Sequence, residues 1–134
     1  MAKFRVNTRE FGRRIQAAAR ANGAAAMKAM QDVGHYLRGQ VQLRTPVDEG
    51  NLTADIAMRV VEYQQSLATV LFIPSNAPSS QYAVKMHEGF YRLGDNSIEK
   101  QRKVQAIVGR KFITRAIDEN RTTIKEIIKS NLKI

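Results

Sequence analysis

Few residues in this chain could carry out acid–base chemistry. His87 and Glu88 are the adjacent histidine and carboxylate, and Asp48, Glu49 and Asp55 are carboxylates far away in the sequence. Neighbouring residues in a strand point to opposite faces. If the segment around His87 is a strand, His87 and Glu88 do not act on one substrate, so we predict that the chain is not an enzyme and that His87 is a structural or interface histidine.

Residue types that hold metals or cofactors are also scarce. The chain has two histidines and no cysteine, and His35 has no second histidine four residues later, as a zinc pair on a helix would require. Gly89 and Gly94 are isolated and form no glycine-rich phosphate loop. We therefore expect no metal site and no cofactor.

The net charge of +10 is unevenly distributed. Residues 1–44 carry +7, residues 45–84 carry −3 and residues 85–134 carry +6. Such a basic chain favours nucleic acid or an acidic protein surface as a partner. Lys100, Arg102 and Lys103 form the densest basic stretch and, with Arg110, are candidates for contact with DNA or an acidic partner. The alternative is that these cations only solvate the outer face of a helix.

No signal peptide or membrane-spanning segment is expected. The first residues lack an apolar run of signal-peptide length, and nowhere do about 18 apolar residues follow one another. A chain without cysteine needs no disulfide and is compatible with a reducing cytoplasm. Its 134 residues are enough for a single domain, which we predict to span residues 1–134.

Apolar residues at spacings of three and four predict a long N-terminal helix over residues 8–44, after an extended arm at residues 1–7. A helix of about 35 residues would be roughly 50 Å long. It either breaks near Asn22-Gly23 or Gly34, or extends past its own core and packs on a neighbouring subunit. The second outcome is the one we expect.

A capped corner follows the long helix at residues 45–54. Pro46 disfavours helical geometry at Thr45, so the helix should end at about Leu43 or Arg44. Asp48 is predicted to cap one helical turn that runs through Leu52. Gly50 and Asn51 supply the tight geometry that leads into the next strand.

The fold predicted for the whole chain is α+β, with a long N-terminal helix and a C-terminal helix packed on a small antiparallel sheet. Residues 55–108 should form the sheet and its loops, and residues 109–134 the C-terminal helix. Alternation predicts a strand at about Ile56–Tyr63 and a further strand within Lys100–Val108. The more apolar run Leu67–Ile73 is predicted to be a second strand that forms an antiparallel hairpin with the first, with open edges. The segment Tyr82–Glu88 fits a helix or a strand.

Three short motifs resemble a bacteriophage family. They are Thr45-Pro46-Val47-Asp48-Glu49-Gly50-Asn51-Leu52, Tyr82-Ala83-Val84-Lys85-Met86-His87-Glu88-Gly89 and Val108-Gly109-Arg110-Lys111-Phe112-Ile113-Thr114-Arg115-Ala116. In this order they resemble the small tail-completion, or head–tail joining, proteins of long-tailed phages. The resemblance assigns the corner to Thr45, Pro46, Asp48, Gly50, Asn51 and Leu52. It implies a subunit contact at Tyr82, Ala83, His87, Glu88 and Gly89.

The resemblance implies a structural protein of the virion neck, assembled in the host cytoplasm. Such a protein forms a homo-oligomeric ring that continues the DNA channel and joins tail to head. Its partners would be other neck, tail-tube or connector proteins, with nonspecific contact to genomic DNA in the channel and no membrane. The alternative function is a small basic protein that associates with DNA without sequence specificity, outside any virion.

Overall fold

A computed structural model describes residues 3–7, 12–47, 50–63 and 66–134. In chain order the elements are β1 (Lys3–Asn7), α1 (Gly12–Ala21), α2 (Gly23–Arg44), α3 (Asn51–Asp55), β2 (Ala57–Tyr63), β3 (Ser66–Phe72), a 3₁₀ helix (Pro78–Gln81), α4 (Ala83–Glu88), α5 (Asp95–Val104), α6 (Phe112–Asp118) and α7 (Arg121–Leu132). The predicted α+β class is confirmed. Along the described ranges, no helix has the length and apolar character needed to cross a membrane.

The N-terminal helical region breaks at Asn22, so the single long helix over residues 8–44 was wrong. Asn22 caps α2, because its side-chain oxygen accepts a hydrogen bond of 3.1 Å from the backbone nitrogen of Ala25. Helix α1 contacts α2 and α7 of its own chain. The break near Asn22-Gly23 is therefore the outcome found, and the helix does not continue straight past the core.

Helix α2 does not break at Gly34, where the missing side chain lets the helix approach the sheet. A Cβ at Gly34 would lie 1.8 Å from Met58 Cε and 3.1 Å from Thr69 Cγ2. The Thr69 hydroxyl donates a hydrogen bond of 2.7 Å to the carbonyl oxygen of Met30 on the same helix. Gly34 is thus a contact point between α2 and the sheet.

The sheet has three strands in the order β1-β3-β2, and both neighbours of β3 are antiparallel to it. The strands predicted at about Ile56–Tyr63 and Leu67–Ile73 are confirmed as β2 and β3. The predicted extended arm contains a strand, β1, which pairs with β3 from Lys3↔Phe72 to Asn7↔Ala68. The hairpin edge formed by β3, which we had expected to be open, is therefore covered.

Two predictions for the C-terminal half were wrong. The segment predicted as a strand within Lys100–Val108 is mostly the end of α5, whose residues are largely polar and gave no apolar periodicity. The single C-terminal helix is divided into α6 and α7. Asn120 lies at the division, where its side-chain nitrogen donates to the carbonyl oxygen of Ala116 at 2.7 Å and its side-chain oxygen accepts from the Tyr36 hydroxyl at 2.6 Å.

The core forms where α2 meets β3, α6 and α7. Its largest fully buried side chains include Met30, Leu37, Leu71, Phe112, Ile113, Ile124 and Ile128. Burying a side chain of this size stabilises the fold by about 1.5–3 kcal/mol each. This core holds α2 in place, and the C-terminal end of α2 leads directly into the corner.

Candidate functional site

The three motif segments meet at the C-terminal end of α2, and we call this place the motif junction. The backbone nitrogen of Gly109 donates to the carbonyl oxygen of Arg44 at 2.9 Å. The backbone nitrogen of Lys111 donates to the carbonyl oxygen of His87 at 2.7 Å. These two backbone hydrogen bonds join residues that are 65 and 24 positions apart in the sequence.

The corner has the predicted position and a different cap. Helix α2 ends at Arg44, as Pro46 predicted, because Thr45 has extended backbone geometry with ψ 137°. Helix α3 begins at Asn51 after Gly50, whose φ of 82° lies in the left-handed region that favours glycine. Gly50 therefore occupies the cap position predicted for Asp48, and Asp48 and Glu49 lie outside the described residues.

Lys100 is an internal contact of the motif junction, so its prediction as a surface cation was wrong. Its ammonium group donates to the carbonyl oxygens of Gln42 at 2.5 Å and Thr45 at 2.7 Å, and to the Thr45 hydroxyl at 3.0 Å. A cation at a helix C-terminus satisfies carbonyl groups that have no partner within the helix. Burial lowers the pKa of Lys100 to about 8, while these hydrogen bonds favour the charged form.

The other three predicted contact cations lie at the surface. Arg102 and Lys103 are exposed and form ion pairs with Glu99, at 2.7 and 3.7 Å. The guanidinium of Arg110 lies 4.1 Å from the ring centroid of Phe90, and its Nε donates to the carbonyl oxygen of Glu88 at 3.0 Å. Since Lys100 is internal, the structure does not bring these four residues together as one basic patch.

Ala83 and His87 lie in the interior, so neither can form the subunit contact that the resemblance implied, and His87 is the structural histidine of the two alternatives given for it. The His87 ring packs edge-on against Phe112 with centroids 4.9 Å apart, and its Nδ1 lies 3.1 Å from Glu88 Oε1. Desolvation lowers the pKa of His87. The segment is helix α4, so the expectation that His87 and Glu88 point to opposite faces of a strand does not apply. The two side chains can therefore interact.

The remaining predicted contact residues are Tyr82, Glu88 and Gly89. Tyr82 is exposed, and Glu88 is exposed with its carboxylate paired to Lys111, which lowers the pKa of Glu88. A Cβ at Gly89 would lie 2.5 Å from the carbonyl oxygen of Lys85, so Gly89 permits the tight end of α4. A subunit contact at Tyr82 and Glu88 stays a prediction.

Arg115 and Tyr91 are structural residues that sequence reasoning did not assign. Arg115 donates to the carbonyl oxygens of Ile107, Gly109 and Arg110, and so fixes the loop before α6. The Tyr91 hydroxyl donates to the carbonyl oxygen of Met86 at 2.6 Å. The position of Arg115 inside the third motif could have indicated its structural role. Nothing in the sequence indicated the role of Tyr91.

A cleft of about 220 Å³ opens beside the motif junction. Its walls come from the corner, α4 and the loop before α5, and they include Pro46, Leu52, Met86, Tyr91, Arg92 and Leu93. The cation in its lining is Arg92, polar groups come from Asn51, Ser97 and the phenols of Tyr82 and Tyr91, and the rest of the wall is largely apolar. Within the described ranges, no group of three histidine or carboxylate residues is arranged to hold a metal ion.

The comparison with family models gives the identity of the chain's family. A model described as "Bacteriophage HK97-gp10, putative tail-component" matches residues 9–84, which is more than half of the chain. The chain belongs to the HK97-gp10-like family. No curated protein and no solved structure matches it.

The HK97-gp10-like match confirms the resemblance to a phage tail family of long-tailed phages. It covers α1, α2, the corner and the β2–β3 hairpin, and ends just after the first residues of the second motif. Membership of this family assigns the chain a structural role as a tail component of the virion. The third motif lies outside the matched residues, and its link to the corner is seen in the hydrogen bond between Gly109 and Arg44.

Proposed function

We propose that this tail component is a subunit of a closed homo-oligomeric ring in the phage neck. The ring completes the tail, joins it to the head and continues the DNA channel between them. Its role is geometric, because each subunit presents one surface to its neighbour in the ring and other surfaces to the tail-tube or connector proteins above and below.

The observation that supports this proposal best is that one stretch of the sequence holds most of the exposed large apolar side chains. Among the described residues, five of the six exposed large hydrophobic side chains lie between residues 82 and 107: Tyr82, Val84, Phe90, Ile98 and Ile107. Phe90 is 87% exposed and Ile107 is 65% exposed. Large apolar side chains left exposed, as Phe90 and Ile107 are, become buried when a protein–protein contact covers them.

A ring requires that the same contact repeats between each subunit and the next. Such a heterologous contact closes when its rotation divides a full turn. The Phe90–Arg110 pair has the residue types that dominate the energetics of protein interfaces, an aromatic ring and an arginine. We therefore place the contact between neighbouring subunits at the surface that carries Phe90, Ile107 and Arg110.

The proposal is tested by the oligomeric state of the purified chain. Native mass spectrometry and negative-stain imaging should show rings of one defined stoichiometry. The double variant Phe90→Ser, Ile107→Ser should shift the population towards monomers, while Ile134→Ser, which removes an exposed apolar side chain outside the 82–107 segment, should leave the rings intact. A wild-type chain that stays monomeric at about 100 μM, a concentration that would populate contacts of micromolar affinity, contradicts the proposal.

A phage that lacks this protein provides a second test. Its lysates should contain DNA-filled heads and separate tails, because the connection between them is missing. Labelled protein should be located at the junction of head and tail in complete particles imaged by cryo-electron microscopy. Label found along the tail or at its tip would place the ring elsewhere and contradict the neck assignment.

A further inference from the structure

Helix α5 is attached to the rest of the fold differently from the other helices. None of residues 88–107 belongs to the apolar core. Ser97 is the one buried residue of α5, and no other described helix or strand packs extensively against this helix. Its apolar residue Ile98 is instead 51% exposed. The helix therefore presents a polar side to the protein and a large apolar side chain to solvent.

Polar side chains hold α5 against the corner. The Ser97 hydroxyl accepts a hydrogen bond from the backbone nitrogen of Val47 at 2.8 Å and donates to its carbonyl oxygen at 3.3 Å. One turn further along, the Lys100 ammonium donates to the carbonyl oxygens of Gln42 and Thr45. Water can replace hydrogen bonds of this kind, so their net contribution is smaller than that of a buried apolar side chain. The attachment of α5 can therefore open while the core stays folded.

The chain is fixed again on both sides of α5, which gives the segment two ends. Before it, the Tyr91 hydroxyl is hydrogen-bonded to a carbonyl oxygen of α4, and Gly94 leads into the helix with extended backbone geometry. After it, Gln105 has a φ of 57°, in the left-handed region, and Val108 is buried. We call residues 92–106, which lie between these fixed points, the flap.

The closed flap covers an apolar wall of the cleft beside the motif junction. Leu93 and Ser97 line this cleft from the side of the flap, and Pro46 and Leu52 line it from the side of the corner. Tyr82 also lines the cleft and is one of the exposed apolar side chains of the 82–107 segment. An open flap therefore adds the wall of the cleft to the apolar surface that is already exposed.

We propose that the flap is closed in the free subunit and opens when the subunit binds its neighbour in the ring. This inference rests on the proposed function, to which it adds a conformational change that accompanies assembly. The neighbour can bury the wall of the cleft only when the flap is open, and a partner shifts an equilibrium towards the form that it binds more tightly. Phe90 and Ile107 lie just outside the two ends of the flap in the sequence, so the flap joins the surface that we assigned to the subunit contact.

Native-state hydrogen exchange of the free subunit measures whether the flap opens as one unit. The amides of residues 98–105, which are hydrogen-bonded along α5, should exchange at least about 100-fold faster than the core amides of α2. Lys100→Met should accelerate all of them together by about 10-fold or more, because it removes hydrogen bonds to a charged group. Lys103→Met, the control on the same helix, should change their exchange by about 2-fold or less. Flap amides that exchange only as slowly as the core would overturn the inference.

A cross-link between flap and corner measures whether the ring requires the open form. The chain has no cysteine, so the double variant Val47→Cys, Ser97→Cys carries its only two thiols where α5 contacts the corner. A short bifunctional methanethiosulfonate reagent keeps the flap of the purified monomer closed, and a reducing agent releases it. Native mass spectrometry should show mostly monomers for the cross-linked form and rings for the reduced form. Val47→Cys alone, treated with the same reagent, is the matched control and should form rings.

The outcomes separate this inference from the ring itself. Equal ring formation by the cross-linked and reduced forms overturns the flap and leaves the proposed function intact. A wild-type chain that forms no rings overturns both, because no neighbour then binds the opened surface. If the double variant fails to fold, spin labels at the exposed positions Arg102→Cys and Lys129→Cys give the same test in rings diluted with unlabelled subunits. The distance between the labels should change on assembly, and an unchanged distance would mean that the flap stays closed.

Discussion

Helix α2 packs on the sheet through apolar side chains, whereas the motif junction is joined mainly by hydrogen bonds. Val33, Leu37 and Leu71 are fully buried between helix and sheet, with a single described side-chain hydrogen bond, from Thr69, between α2 and β3. At the motif junction, the end of α2 bonds to Gly109 and to Lys100. The first region depends on the amount of apolar surface it buries, and the second depends on the positions of individual donors and acceptors.

This difference predicts that a single polar substitution can weaken the motif junction. Lys100→Met keeps an unbranched apolar stem and removes the ammonium group, so the carbonyl oxygen of Thr45 loses its donor and that of Gln42 keeps only the Thr45 hydroxyl. We expect the free energy of unfolding to fall by about 2 kcal/mol, since each unsatisfied buried acceptor costs about 1–3 kcal/mol and Lys100 is only half-buried. Urea unfolding measures this change.

Lys103→Met is the matched control for that measurement. Lys103 is three residues further along α5, is exposed, and pairs only with Glu99 among the described carboxylates. Its loss should change the free energy of unfolding by about 0.5 kcal/mol or less, as for most surface substitutions. Equal effects of the two substitutions would show that the hydrogen bonds of Lys100 do not stabilise the motif junction.

The same difference explains which parts of the fold the sequence predicted. Pro46 acts on its immediate neighbour, so the end of α2 at Arg44 followed from a local steric rule. Alternation in β2 and a short apolar run in β3, four consecutive residues of which are buried, are both typical of strands, so both strands were predicted. Local sterics and periodicity are properties of adjacent residues and can be read without knowing the tertiary structure.

The partners of Lys100 could not be read in this way. They are carbonyl groups 55 and 58 residues earlier in the chain, and a lysine in a polar segment has the same appearance whether it is solvated or caps a helix. The choice between a structural and an interface His87 was open for a related reason, because the interior position of His87 on α4 depends on contact with Phe112, 25 residues later. Gly109 has a φ of 120°, a backbone geometry that glycine tolerates. The glycine in the sequence was therefore a partial indication of the backbone geometry at this position.

Two glycines of α2 separate the effect of sheet contact from that of helix propensity. Gly39→Ala adds a Cβ with no atom within 4 Å, so it should raise the free energy of unfolding by about 1 kcal/mol. Gly34→Ala gains the same helix propensity, but its added Cβ overlaps sterically with the side chains of Met58 and Thr69. Its net effect should be lower than that of Gly39→Ala by about 1–2 kcal/mol, because overpacking a well-packed contact costs about that much.

Thermal or urea unfolding of these two variants is the measurement. If both substitutions stabilise the chain equally, then the α2–sheet contact adapts at no cost and is less tightly packed than the distances at Gly34 indicate. If Gly34→Ala alone destabilises it, the apolar region is sensitive to added volume. The motif junction, in contrast, is sensitive to lost hydrogen-bonding groups.

The smallest expected effect is a dependence of stability on pH that arises from the motif junction. The pKa of Lys100 is about 8 in the folded chain and 10.5 as its ordinary value. Between these values the unfolded chain holds a proton that the folded chain has released, so the free energy of unfolding should rise with pH. Because Lys100 is half-exposed, solvent screening keeps the rise small.

Urea unfolding at pH 7.5, 8.5 and 9.5 measures this rise. The range ends below pH 10 because Tyr91, whose pKa is raised from 10.0 by burial, acts in the opposite direction above that value. It begins above the range of His87, whose pKa is lowered from 6.5. Lys100→Met should abolish the rise and Lys103→Met should retain it. A wild-type stability that falls between pH 7.5 and 9.5 would mean that the hydrogen bonds to Gln42 and Thr45 outweigh the burial of the ammonium group.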